Sequence, residues 1–298
     1  MPPPRLRPSV FRCVSIQKAS RRLYSTPIEH SILSHSIPAP NCGSIRILSL
    51  NRPASRNAIS RQLVAELRHQ IESIHAEPEN GPTRALILAS NVDASFCAGA
   101  DLKERKTFTQ EDTSNFLAML RDTFTRIEML QIPTIAAVHA VAFGGGLEMA
   151  LTTHMRVFGS TATVALPETK LAILPGAGGT YRLPALIGLG RARDMILTGR
   201  RVSAAEAYFL GLCDRLVEIP EGTEDKARER VLEESVNLAR DICEGGPIAI
   251  RQALKAVNGC GLREVAENAA YDVVLKTEDR NEALKAFGEK RKPIFKGK

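Results

Sequence analysis

The sequence lacks the features that would place the chain in a membrane or around a metal ion. No run of eighteen apolar residues occurs among the 298 residues, so no membrane-spanning helix is expected. The six cysteines include no pair at CxxC spacing and none beside a histidine, so no zinc or other metal site is expected. Cys97, which stands beside a candidate loop, is expected to be a small buried apolar residue.

Acidic residues are absent before Glu29, where six arginines and lysines stand among several serines. Such a segment is typical of a mitochondrial transit peptide, and no apolar segment of a secretory signal follows the charges. We therefore predict a transit peptide and linker over residues 1–38 and a location in the mitochondrial matrix; a disordered basic tail is the alternative. Without these six residues the chain has 34 basic and 33 acidic residues, a net charge of +1. The body is therefore nearly neutral.

Alternating apolar and amphipathic segments indicate an α/β fold with parallel strands. The expected strands cover residues 44–50, 84–89 and 134–140. The expected helices cover residues 57–75, with Ser60 as a cap, 116–130, 225–243, 248–257 and 262–285, and a short helix opens at Leu147. A loop is expected over residues 95–101. The resulting organisation is an α/β core over 39–225 and a helical C-terminal region over 226–298, which packs on the core or on a neighbouring subunit.

Two glutamates beside glycine-rich segments are the candidate catalytic groups. Glu148 follows Gly144, Gly145 and Gly146 at a strand–helix junction, where backbone N–H groups can approach a ligand or an oxyanion. A phosphate loop is excluded because no Gly-Lys-Ser/Thr follows, and a dinucleotide site because the spacing is not GxGxxG. The alternative is a tight turn whose glycines serve packing.

The second glutamate, Glu168, stands eight residues before Gly176-Ala177-Gly178-Gly179. In an apolar site the pKa of a carboxyl rises, which suits a general acid or base. Either glutamate could instead face solvent, and spacing alone leaves open whether the two share one site. A third loop, residues 96–103, contains Asp101, which could cap a helix, and Lys103, which could meet a phosphate or be solvated.

Together, segments 96–104, 144–148 and 167–180 resemble those of the crotonase (enoyl-CoA hydratase) superfamily, and the resemblance covers about residues 44–298. It implies a crotonase (ClpP-like) superhelix of ββα units, with a helical C-terminal region for trimerisation. It also implies that the chain adds water across the α,β double bond of an enoyl-CoA thioester. No metal or redox cofactor is implied, since CoA arrives as part of the substrate.

The resemblance assigns roles to individual positions. The N–H groups of Ala100 and Gly145 would form the oxyanion hole, Glu148 would activate water, and Glu168 would donate a proton to Cα. The two glutamates could exchange these roles, because coupled carboxylates share their titration. The residues implied in substrate binding are Arg56, Ala58, Ala98, Asp101, Leu102, Lys103, Gly144, Gly176, Phe287 and Lys290. The last two would reach the CoA of a neighbouring subunit.

Residues 101–105, 168–173, 277–280 and 286–291 are similar to those of mitochondrial methylglutaconyl-CoA hydratases. This similarity implies methylglutaconyl-CoA of leucine degradation or a short-chain enoyl-CoA of fatty-acid β-oxidation as the substrate, and a homotrimer or dimer of trimers. Some members of that group bind AU-rich RNA through a lysine-rich first helix. Residues 60–69 contain no lysine, so RNA binding is not expected. The alternatives are a Δ3,Δ2-enoyl-CoA isomerase and an RNA-binding protein of the AU-rich-element type.

Overall fold

The strands of the molecule form two sheets in the computed structural model, which describes residues 30–298. The larger sheet contains, in spatial order, β1 (Ile32–Pro38), β2 (Ser44–Leu50), β3 (Thr83–Ser90), β5 (Thr134–Val138), β7 (Met155–Gly159) and β10 (Arg215–Val217). The smaller sheet contains β4 (Ser95–Cys97), β6 (Val141–Phe143), β8 (Thr163–Ala165) and β9 (Val202–Ser203). Neighbouring strands are parallel except in the edge pairs β1–β2 and β8–β9.

Consecutive strands alternate between the two sheets. The pairs β3–β4, β5–β6 and β7–β8 each place one strand in the larger sheet and the next in the smaller one, and helical segments then lead to the following pair. Parallel neighbours require such crossover connections. The predicted α/β fold of ββα units is therefore confirmed.

Helices separate and cover the sheets. They are α1 (Arg61–His75), α2 (Leu102–Arg105), α3 (Gln110–Glu128), α4 (Gly145–Ala150), α5 (Gly179–Ile187), α6 (Leu189–Thr198), α7 (Ala204–Leu210), α8 (Ala227–Cys243), α9 (Pro247–Asn258), α10 (Glu264–Val274) and α11 (Glu278–Gly288). The Ser60 hydroxyl accepts the N–H of Leu63 at the start of α1, so the predicted cap is confirmed. The helix buries one apolar stripe, as its periodicity predicts.

The central strands of the larger sheet, such as β3 and β5, are buried on both faces. Leu86 and Leu88 of β3 pack into one apolar cluster with helices α1 and α3, whereas Ile87 packs into a second cluster with α8. Strands covered on both faces are nearly continuous in apolar residues, which explains the unbroken apolar sequence of β3. No helix within residues 30–298 is both long and apolar enough to cross the lipid bilayer.

Three expectations are corrected. Strand β1 lies in the segment assigned to linker, because an edge strand with mainly exposed side chains leaves no apolar pattern. The expected loop 95–101 begins with strand β4. The expected helix 262–285 is two helices, α10 and α11, because Thr277 caps the second one by accepting the N–H of Arg280. The predicted transit peptide falls mainly on residues 1–29, outside the described part of the chain.

Candidate active site

One partly open cavity of about 160 Å³ brings together the main candidate residues. Both Glu148 and Glu168 line it, as do Ala100, Gly145 and Gly176. These five residues come from three loops that are separated along the chain and meet at the junctions between strands and helices. The folded chain therefore places the two carboxylates in one site, a point that the spacing alone had left open.

Glu148 is held as a hydrogen-bond acceptor inside the protein. It lies in α4 with 2% of its surface exposed, and its Oε1 accepts the backbone N–H groups of Ala177 and Gly179, each at 2.8 Å. Burial raises its pKa, whereas these two hydrogen bonds and the charges of Arg182 and Arg121 act in the opposite direction. The carboxylate is therefore desolvated, yet its anionic form keeps specific support.

Two arginines hold the loop that binds Glu148. Arg182 Nη1 donates to the carbonyl of Ala177 at 2.9 Å and also pairs with Glu128, while Arg121 Nε donates to the carbonyl of Gly176 at 2.6 Å. Arg182 is buried despite its charge. Sequence reasoning missed both residues, because an arginine in a helix is normally solvent-exposed and nothing in its local pattern signals a loop contact.

Glu168 has a different environment from Glu148. It opens the 3-10 turn Glu168–Leu171 and is 8% exposed, and its Oε2 is buried without a hydrogen-bond partner among the described residues. Burial raises the pKa of Glu168 to about 7; a hydrogen bond from its own backbone N–H opposes this rise, and the nearby charge of Glu148 adds to it. At neutral pH, Glu168 is therefore about half protonated, and it lines the same cavity as Glu148, whose anionic form is hydrogen-bonded.

Two residues whose backbone N–H groups can act as donors, Ala100 and Gly145, line the same cavity. Ile59 forms an isolated parallel β-bridge with Ala100. Its N–H donates to the carbonyl of Gly99 and its carbonyl accepts the N–H of Asp101, so the bridge leaves the N–H of Ala100 itself unused. In parallel pairing the N–H of Ala100 then points to the opposite edge. Gly145 is the first residue of α4, where N–H groups have no partner within the helix. Two such donors can stabilise an oxygen on which negative charge develops.

The glycine triplet serves both geometry and packing. Gly144 has φ of 52° and ψ of −125°, and a Cβ there would lie 2.9 Å from Oε1 of Glu168. A Cβ on Gly146 would collide with the backbone carbonyl of Cys97. The two interpretations of the triplet therefore hold at different positions: Gly146 permits close packing, and Gly144 leaves room for a candidate catalytic carboxyl.

A surface groove of about 990 Å³ meets the cavity at Ala100. Six of the predicted substrate-binding residues line it: Arg56, Ala58, Ala98, Asp101, Leu102 and Lys103. Asp101 caps α2, as predicted, and pairs with Arg52 at 3.0 Å. Arg56 and Lys103 form no ion pair with another described residue, so their charges are available to an anionic ligand.

Two of the predicted binding residues lie elsewhere. Phe287 is 85% exposed at the end of α11, and neither it nor Lys290 lines the groove or the cavity. Their predicted contact with a neighbouring subunit stays a prediction. The Cys97 thiol is buried and donates to the carbonyl of Asn57, and burial raises its pKa to about 12, so its predicted buried role is confirmed. No cluster of potential metal ligands occurs within residues 30–298.

Comparisons with known proteins agree with this site. The enoyl-CoA hydratase/isomerase family matches residues 41–298. An enoyl-CoA isomerase/hydratase of Zymoseptoria tritici is 61% identical, over 92% of this chain and 90% of that protein. The mitochondrial methylglutaconyl-CoA hydratase 1 of Pyricularia oryzae is 56% identical, over 93% of this chain and 90% of that protein. The crystal structure of an enoyl-CoA hydratase from Bacillus anthracis is 39% identical, with a TM-score of 0.80 over 90% of this chain and all (100%) of that one.

Proposed function

The chain belongs to the enoyl-CoA hydratase/isomerase family and is a hydro-lyase of the crotonase type, and from this premise we propose its substrate and mechanism. The substrate is an enoyl-CoA thioester with a short acyl chain, either methylglutaconyl-CoA in leucine degradation or a short-chain enoyl-CoA in fatty-acid β-oxidation. The observation that carries the proposal is the cavity in which two buried glutamates with raised pKa values lie beside the residues of two backbone donors.

Binding uses the groove and the cavity together. The CoA part lies in the groove, where Arg56 and Lys103 face its phosphates, and the acyl part enters the cavity past Ala100. The thioester carbonyl then accepts the N–H groups of Ala100 and Gly145. A single donor of this kind typically lowers the barrier by about 3–4 kcal/mol, because it meets charge that develops only in the transition state.

Each of the two glutamates transfers one proton: one glutamate accepts a proton from water and the other donates a proton to the substrate. Glu148 takes a proton from water while the water oxygen bonds to Cβ, and electron density moves onto the thioester oxygen. Glu168 gives its proton to Cα as the carbonyl re-forms. Protons are redistributed and no electrons are exchanged with another species, so we propose that the reaction uses no metal or redox cofactor. An isomerase needs one group that shuttles a proton, and the presence of two buried carboxyls favours the hydratase.

We further propose that the enzyme works in the mitochondrial matrix as a homotrimer or a dimer of trimers. The acid-free N-terminal segment and the mitochondrial relative from Pyricularia oryzae support the location. Large apolar side chains are exposed on the C-terminal helices, among them Val257, Tyr271 and Phe287, and a neighbouring subunit would cover them.

The test is hydration of crotonyl-CoA and 3-methylglutaconyl-CoA by the full chain and by its Glu148→Gln and Glu168→Gln variants. Each substitution keeps the side-chain shape and removes the proton transfer, so we expect rates to fall roughly 10²- to 10⁴-fold. Glu111→Gln, which alters an exposed carboxylate of α3, is the matched control and should match the wild type.

Three outcomes would contradict the proposal. Absence of hydration with both thioesters would remove the hydratase assignment. Activity on a Δ3-enoyl-CoA that survives loss of one glutamate would favour the isomerase. Binding of AU-rich RNA with a steep dependence on salt, together with no thioester turnover, would favour the RNA-binding alternative.

A further inference from the structure

Arg105 is the single cationic side chain among the described residues that line the cavity holding the two glutamates. It stands at the end of α2, and the cavity wall around it includes Leu117 and Leu120 of α3. The remaining lining is mainly apolar or glycine. A guanidinium in such a place is costly to desolvate, so its position calls for a compensating partner.

No described residue supplies that partner. Arg105 is half-buried, its Nε is fully shielded without a hydrogen-bond acceptor, and its guanidinium forms no ion pair within residues 30–298. The other buried arginines behave differently, since Arg156 pairs with Asp214 and Arg182 pairs with Glu128. Half-buried Arg251 also forms no ion pair within the described part of the chain, so what distinguishes Arg105 is its place in the wall of the cavity that holds the two glutamates.

Two aromatic rings hold Arg105 in place. Its guanidinium carbon lies 4.2 Å from the ring centroid of Phe116 and 5.8 Å from that of Phe108. Stacking of this kind fixes the plane of the guanidinium and leaves its edge free to form two parallel hydrogen bonds. The side chain is thus oriented before a ligand arrives.

The charges of the catalytic site are accounted for without Arg105. The cations that act on Glu148 are Arg182 and Arg121. Burial lowers the pKa of Arg105, and the charge of the adjacent Glu104 opposes this only in part; Glu104 accepts the backbone N–H of Arg61 and forms no ion pair with Arg105. The partner of Arg105 is therefore to be sought in the ligand.

We propose, on the basis of the hydratase function above, that Arg105 binds a carboxylate at the far end of the acyl chain and selects enoyl-CoA thioesters that carry one. The planar guanidinium matches a carboxylate with two hydrogen bonds. An uncharged acyl tail long enough to reach Arg105 would displace water from it and offer no acceptor in return. Arg105 therefore both favours the carboxylated chain and disfavours a long apolar one.

The test compares glutaconyl-CoA with crotonyl-CoA, which differ only in the terminal carboxylate. The wild type should have the higher kcat/KM with glutaconyl-CoA. In Arg105→Gln the ratio of the two kcat/KM values should fall roughly 10- to 100-fold, the range for a hydrogen bond between charged groups, while crotonyl-CoA turnover is retained. Arg105→Lys keeps the charge and should recover part of the ratio.

Arg61→Gln is the matched control. Arg61 also lies over Phe108, at 4.2 Å, but it pairs with Asp112 and does not line the cavity, so its loss should leave the ratio unchanged. Equal losses on both substrates in Arg105→Gln would overturn the inference and give Arg105 a structural or CoA-binding role. A wild type that hydrates crotonyl-CoA without preferring glutaconyl-CoA would overturn it and leave the hydratase function standing. A wild type that hydrates neither would overturn both.

Discussion

The proposed role of Glu168 predicts that the rate of hydration depends on pH close to neutrality. Burial raises its pKa from the ordinary 4.5 to about 7. As the proposed proton donor to Cα, Glu168 would act only when protonated, so about half of the enzyme would be competent at pH 7 and about a tenth at pH 8. We therefore expect kcat/KM to fall roughly tenfold for each pH unit well above 7. At lower pH the rate falls again as Glu148 becomes protonated.

The same shift has the opposite consequence for stability. Because the folded state binds the proton of Glu168 more tightly than the unfolded chain, this group favours folding fully below about pH 4.5 and loses that contribution as the pH rises through about 7. The change in the free energy of unfolding corresponds to at most about 3–4 kcal/mol. Glu168→Gln removes the ionisation, so the variant should keep only a small residual activity yet be more stable than the wild type above pH 7.

The assay is initial-rate hydration of crotonyl-CoA from pH 5.5 to 9 at constant ionic strength, together with urea unfolding at pH 5 and pH 8. Glu111→Gln should keep the wild-type profile. The residual activity of Glu168→Gln should lose the decline above pH 7. A wild-type rate that stays constant between pH 6 and 9, or an unchanged decline in Glu168→Gln, would refute Glu168 as the proton donor.

Two further substitutions test the supports of the site. Gly144→Ala should destabilise the fold by about 1–3 kcal/mol through backbone strain, and it should lower kcat because the new Cβ meets Glu168. Gly190 has open space around it, so the control Gly190→Ala should change neither the free energy of unfolding nor kcat. Arg182→Met should lower kcat roughly 10- to 100-fold with little change in KM, because the loop that binds Glu148 loses its anchor, and an unaltered kcat would contradict that positioning role.

The regular elements of the core could be predicted because each has a local cause. Strand β2 has the predicted bounds, and α1 begins where its serine cap predicts. Strands β4, β6, β8 and β9 have two or three residues, which is too short for periodicity to register. Strand β1 is stabilised by pairing with β2 and has little apolar signal of its own. Such elements depend on the sheet around them, and a local pattern cannot reveal them.

The features of the candidate site also fall into those that local sequence could predict and those that depend on tertiary structure. The motifs located the three loops, because glycines and isolated carboxylates stand out in a sequence. The contacts that complete the site join residues far apart along the chain, such as Arg121 with Gly176, 55 positions away. Arg105 and Arg182 are ordinary helical arginines until tertiary structure buries them. Their roles follow from what they contact, so they could not be read from spacing.

The contacts of the two glutamates also bear on which one holds the proton. One oxygen of Glu148 accepts two backbone N–H groups, and such bonds favour a carboxylate over a neutral carboxyl. The buried Oε2 of Glu168 has no donor among the described residues, and the penalty that burial imposes on its anion outweighs the support from the residue's own backbone N–H. In the singly protonated pair the proton therefore resides mainly on Glu168. We infer from this asymmetry that Glu148 is the base for water and that Glu168 is the acid at Cα.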